Sequence, residues 1–170
     1  MKIHIGPFPR GDKPRKISIR IDKYDTWGMD HTLSYIIHPM LIQLKATKHG
    51  APWVDDEDVP EELKSTSAPP LTQEEIDYGS IDSFHFNRWD WVLDEMIWAF
   101  AQILDDDADN QFHSGEFDFD FVEVEGSEFS EFKYGPNHTH VFDREGYDVW
   151  AARKQNGLKL FGKYFQNLWD

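Results

Sequence analysis

Hydrophobic and polar positions follow two periods along this chain, and the points where one gives way to the other divide it into elements. Near the N-terminus Ile3 and Ile5 alternate with polar neighbours, and Ile17, Ile19 and Ile21 do the same between Lys16, Ser18 and Arg20. Period two is the signature of a half-buried strand, and the two runs predict a hairpin across the Pro-, Gly- and charge-rich loop at 7–15. From Asp30 to about Lys48 the period lengthens, with Leu33, Ile36, Ile37, Met40, Leu41 and Leu44 on one helical face. Asp30 is the expected N-cap, with Met29 available as a hydrophobic staple. Pro39 removes a backbone donor inside this helix, so a kink or break is expected near His38, and Gly50 can end it.

The pattern is strongest from Phe84 to Leu104. Trp89, Val92, Leu93, Met96, Ile97, Phe100, Ile103 and Leu104 share one broad arc, which predicts a central helix with a core face. Its other side carries Trp91 and Trp98 with Asp94, Glu95 and Gln102, so cover on both sides is expected. Downstream, Phe117, Phe119 and Phe121 alternate with acids before the phase shifts at Val122 and Val124. A bulge near Phe121-Val122 would account for the shift, and the acidic face of Asp118 and Asp120 would suit pairing beside Lys16 and Arg20. Short strands are expected at Ser127–Tyr134 and His138–Phe142. Tyr147, Trp150, Ala151, Leu158, Phe161, Tyr164, Phe165 and Leu168 hold one arc to the end, predicting a single last helix, Tyr147–Trp169. Gly157 lies on that arc, where it would allow another element to approach closely.

The stretch 51–83 fits neither period. It opens with the acid run Asp55, Asp56, Glu57, Asp58, Glu61 and Glu62 and continues through Pro-, Ser- and Thr-rich sequence. It reads as a long surface excursion, and connections of that length often carry function. With no internal repeat and no second core pattern, the 170 residues predict one α+β domain: about three main helices packed on a small, mostly antiparallel sheet.

Composition narrows the function classes. The absence of cysteine excludes disulfides, thiolate metal sites and a cysteine nucleophile. No apolar run is long enough for a membrane span or signal peptide, so a protein of the cytoplasm is expected. The net charge of −15 disfavours direct nucleic-acid binding and suits a partner with a basic surface, although it also serves solubility alone.

Several segments carry a resemblance: KIHIGPF, IRIDKYDTWGMDHTL, HPMLIQLKATKHGAPWVDDEDVPEEL, HFNRWDWVLDEMIWAF, QFHSGEFD, GPNHTH and NGLKLFGKYFQNLWD. Together they resemble a family of small acidic proteins encoded by tailed bacteriophages, over almost the whole chain. The join between KIHIGPF and RKISIRID is shorter than the resemblance leads one to expect. The resemblance implies a viral protein made in a bacterial host, and it assigns no activity and no catalytic residue.

Two constellations could carry chemistry. His138 and His140 would share one face of a strand, and Asp143 or His113 could complete a divalent metal site, with ordinary surface hydrogen bonding as the plainer account. His31, Tyr35 and His38 lie opposite the aliphatic stripe of the first helix. Should they meet Trp91, Asp94, Glu95 and Trp98, the result would be a pocket for a planar ligand or for acid–base work, against a plainer account of inter-helix packing. No phosphate-binding loop, dinucleotide motif, zinc-protease motif or serine elbow is present. The reading is a non-enzymatic acidic protein that modulates or inhibits a host or phage partner, needing no cofactor. A small metal-dependent hydrolase and a structural virion component are the alternatives.

Overall fold

In the computed structural model, which describes residues 1–169, the helix at His85–Leu104 is the element around which the others pack. It is α3, preceded by α1 (Met29–Thr47) and the short α2 (Gln73–Asp77) and followed by α4 (Arg144–Lys163). Trp89, Val92, Leu93, Met96 and Phe100 of α3 are buried, and Ile97 and Ile103 pack at the edge of the same cluster. Burying side chains of this size contributes on the order of 1.5–3 kcal/mol each, which makes the arc on α3 the main source of stability.

Both α1 and α4 pack on α3. Gly157 marks a close approach of α4: a Cβ added there would lie 2.5 Å from the Cβ of Ala99 and 2.5 Å from the carbonyl oxygen of Glu95. The expected close approach is therefore present, and α4 runs unbroken through Asn156-Gly157. It starts earlier than its apolar arc does, because Asp143 caps it by accepting from the Gly146 amide at 3.0 Å. Leu160, outside the expected arc, is fully buried. The helix ends at Lys163, and Phe165–Asn167 forms a separate 3-10 turn.

Helix α1 departs from expectation at two places. Gly28, not Asp30, is its N-cap, and no side chain caps it. Asp30 stands inside the first turn, where a carboxylate still favours the positive end of the helix dipole. The helix also passes through Pro39 without a break. Pro39 is exposed, so the carbonyl it leaves without a helical donor can be met by water.

The β part consists of three antiparallel pairs, each a two-stranded sheet. β1 (Lys2–Ile5) pairs with β2 (Ile17–Arg20) in the expected hairpin, with Ile3 opposite Ile19 and Ile5 opposite Ile17. β3 (His113–Ser114) pairs with β6 (Val141–Phe142), and β4 (Phe119–Glu123) with β5 (Ser130–Tyr134). The β4–β5 register is continuous from Phe119–Tyr134 to Glu123–Ser130, without the expected bulge. Asp120 faces Lys133 rather than Lys16 or Arg20. A hairpin closed through a short turn, with Gly126 at φ +78°, loses less loop entropy than pairing with a strand a hundred residues away. The result is a mixed α+β fold whose strands form three small separate antiparallel sheets.

The stretch 51–83 contains three 3-10 turns and α2, and its first part, 51–63, packs into the core. Val54 and Val59 are buried in the core cluster, and Ala51 and Leu63 pack against it. Polar bonds fasten it to α3. The His85 ring meets the Ala51 carbonyl at 3.0 Å, and the buried Arg88 guanidinium donates to the Leu63 carbonyl at 3.0 Å and to Asp82 at 2.5 Å. That pairing holds the Asp82 carboxyl below the usual carboxylate range. None of the described helices is long and apolar enough to cross a membrane.

Candidate functional site

The acid run at 55–62 is largely engaged within the molecule. Asp58 is buried and accepts from the Tyr164 hydroxyl at 2.7 Å, while the Lys163 ammonium lies 2.5 Å from Asp58, 2.7 Å from Asp55 and 3.3 Å from Glu57. The hydrogen bonds to Asp55 and then Asp58 raise the Lys163 pKa. Burial, then the bond to Asp58, pushes the Tyr164 phenol up to about 12. Asp56 accepts from the Ser65 amide at 2.7 Å and its hydroxyl at 2.5 Å, and Glu61 pairs with Lys64 at 2.5 Å. Glu62 is exposed. Among the described residues Asp55, Glu57 and Asp58 are the one group of three metal-type ligands close enough to share an ion, and the Lys163 ammonium already sits among all three.

The residues of the expected helix-face pocket go to different neighbours. Asp94 pairs with Lys45 of α1, and Asp90 with Lys48 at 2.6 Å. Glu95 turns instead to α4, where Arg153 meets it at 2.7 Å and lies 4.1 Å above the Trp98 ring. Trp91 packs at the edge of the core, Tyr35 is exposed and His38 is half-buried. His31 stacks edge-on to Tyr35 at 4.9 Å and approaches Asp106 at 3.8 Å.

That last contact leads to a cleft built by the turn after α3. Asp105 caps the helix and accepts from the Asp107 amide at 3.1 Å, and Asp107 accepts from Asn110 at 2.8 Å. These bonds curl the chain into the 3-10 turn Asn110–Phe112, which seats Phe112 5.7 Å from the Tyr147 ring and 5.6 Å from that of Trp150. The resulting cleft holds about 270 Å³ and is lined by Asp30, Asp105, Asp106, Asp109, Tyr147, Trp150 and Lys154. Gln102 fixes the indole by accepting from its N–H at 2.7 Å, and the Lys154 ammonium sits 3.8 Å over the indole ring. Burial lowers the Lys154 pKa. Four aspartates against one lysine, beside an aromatic wall, suit a guanidinium or ammonium group. The Asp106 side chain is 92% exposed at the mouth.

In the sequence nothing marks this acid run as a site, and Tyr147 and Trp150 read only as part of a helix face. Nothing in the local pattern says that the two ends meet.

The histidines form a second cluster. His113 Nδ1 and His140 Nε2 lie 2.9 Å apart with their rings stacked, while His138 is 6.2 Å from His140 and stacks at 4.0 Å on Tyr134. Burial, and then the neighbouring His113 and His138, lower the His140 pKa, which favours its neutral form. Asp143 is turned away to its capping role on α4. The structure therefore brings His140 to His113, a residue named only as an accessory.

Compared with protein-family models, curated proteins and solved structures, the chain matches none.

Proposed function

We propose that the chain is a non-enzymatic binding protein, phage-encoded and working in the host cytoplasm, that modulates a host or phage partner carrying a basic surface. The observation that carries this reading is the cleft at the end of α3, where the largely exposed Asp106 stands beside Asp30, Asp105, Asp109 and the Trp150 wall. The acid run at 55–62 contributes to the long-range field, but its carboxylates are mostly committed to Lys163, Ser65 and Lys64. The cleft is thus the recognition element, and the net charge of −15 steers the encounter. An arginine-rich peptide should bind with an association rate that falls about tenfold as salt is raised. Replacing Asp105 and Asp106 by Asn should weaken it severalfold, whereas Glu62→Gln should not. Binding that ignores both salt and the cleft aspartates would overturn the reading.

A small metal-dependent hydrolase is the second reading, favoured by the close approach of His113 and His140. It requires stoichiometric zinc, manganese or iron that His140→Ala removes, together with metal-stimulated hydrolysis of a phosphodiester.

A further inference from the structure

The surface of this molecule is large for its mass. A folded single chain of 20.0 kDa exposes about 8,700 Å² by the usual scaling, whereas this one exposes 12894 Å². Much of the unpartnered apolar surface lies on two hairpins. The strands of β1–β2 and of β4–β5 are exposed along their whole length. Isolated two-stranded hairpins are marginal in water, and a third or fourth strand is what makes a small sheet stand alone.

The two hairpins complement one another in three respects. On one face β1–β2 carries an isoleucine row (Ile3, Ile5, Ile17, Ile19), and β4–β5 an aromatic row (Phe119, Phe121, Phe132, Tyr134). Every one of these side chains is at least 40% exposed. In sign they are opposite: residues 1–20 hold six lysines and arginines against one aspartate, while residues 116–134 hold seven acids against one lysine. Their edges are also open, since each strand of either hairpin has only one strand neighbour. Yet the two belong to separate sheets of the chain.

We propose that the protein forms a two-fold dimer in which β2 of one copy adds edge to edge to β4 of the other. Because side chains alternate along a strand, this pairing sets Lys16 and Arg20 beside Asp118 and Asp120 on one face. On the other face it sets the isoleucine row beside the aromatic row. Two-fold symmetry makes the contact twice, so both hairpins of both copies become four-stranded and the assembly closes. The surplus of about 4,000 Å² per chain is ample for the roughly 2,000–5,000 Å² that an obligate homodimer buries in total. A second copy is the occupant because both complementary halves stand on one chain. A foreign basic partner would match the β4–β5 hairpin and leave the isoleucine row bare.

Charge reversal tests this directly. Light scattering and sedimentation velocity on the full chain should give a dimer that weakens with salt. Lys16→Glu with Arg20→Glu should weaken it at least about tenfold, and so should Asp118→Lys with Asp120→Lys. The thermal midpoint of each variant should stay near that of the wild type under conditions where all are monomeric, since the substituted positions lie outside the helical core. Mixing the two variants should restore a dimer, one of each, because every contact in the mixture again joins opposite signs. A wild-type chain that stays monomeric at millimolar concentration, or a mixture that does not recover, would overturn the proposal.

Discussion

The Tyr164 hydroxyl donates to the buried Asp58 carboxylate across 2.7 Å, and the Asp55 amide donates in turn to the Tyr164 oxygen at 3.1 Å. A segment whose composition suggests a free surface loop is thereby fixed to the end of α4. Val54 and Val59, on either side of these bonds, are buried in the core.

Asp58→Ala should therefore destabilise the protein by about 1–3 kcal/mol, because it leaves the Tyr164 hydroxyl without its acceptor and takes away one of the three carboxylates around the Lys163 ammonium. Glu62→Ala, on the exposed side of the same run, should change stability by less than about 0.5 kcal/mol. Equal effects of the two in chemical denaturation would refute a docked acid run.

Alkaline pH should unlock the same contact. The Tyr164 phenol titrates at about 12 in the folded chain against an ordinary value of 10.0, and the Lys163 ammonium is likewise raised. A raised folded value contributes stability that is complete below the unfolded value and is lost as pH rises through the folded one. Melting temperature should thus fall progressively from about pH 10 to 12, with a shallower fall for Tyr164→Phe. A parallel decline in both proteins would mean that Tyr164 plays no part.

Two glycines of α4 should respond in opposite directions to alanine. At Gly157 the added methyl meets Ala99 and the Glu95 carbonyl, and overpacking of this kind costs about 1–3 kcal/mol, more than the gain in helix propensity. At Gly162 nothing lies within 4 Å, so alanine should stabilise by up to about 1 kcal/mol. Thermal melts of the pair separate close helix packing from propensity alone.

The two faces of α3 should also differ. Phe100 is 5% exposed and packs edge-on to Phe161 at 5.0 Å, so Phe100→Ala should cost about 3–5 kcal/mol. Trp98 is half-buried beneath Arg153, and Trp98→Ala should cost about 1–2 kcal/mol. A Trp98 variant as unstable as the Phe100 variant would place that ring in the core proper.

Local pattern alone determined the three long helices, the N-terminal hairpin and the close approach at Gly157. Each follows from a period or a residue type acting over a few positions, and the arc of Trp89, Val92, Leu93, Met96 and Phe100 is buried as its spacing requires. What only the tertiary structure decided are the partners of the charges. Glu95 and Asp94 are adjacent in sequence, yet one joins Arg153 on α4 and the other Lys45 on α1. The 55–62 acids draw in Lys163, more than a hundred residues away, and the aspartates after α3 meet Trp150 only once α4 has packed. Apolar periodicity reports burial because a helix or strand imposes it locally. A charge can be satisfied by any opposite group the fold brings near, so its partner is set by the packing of distant elements.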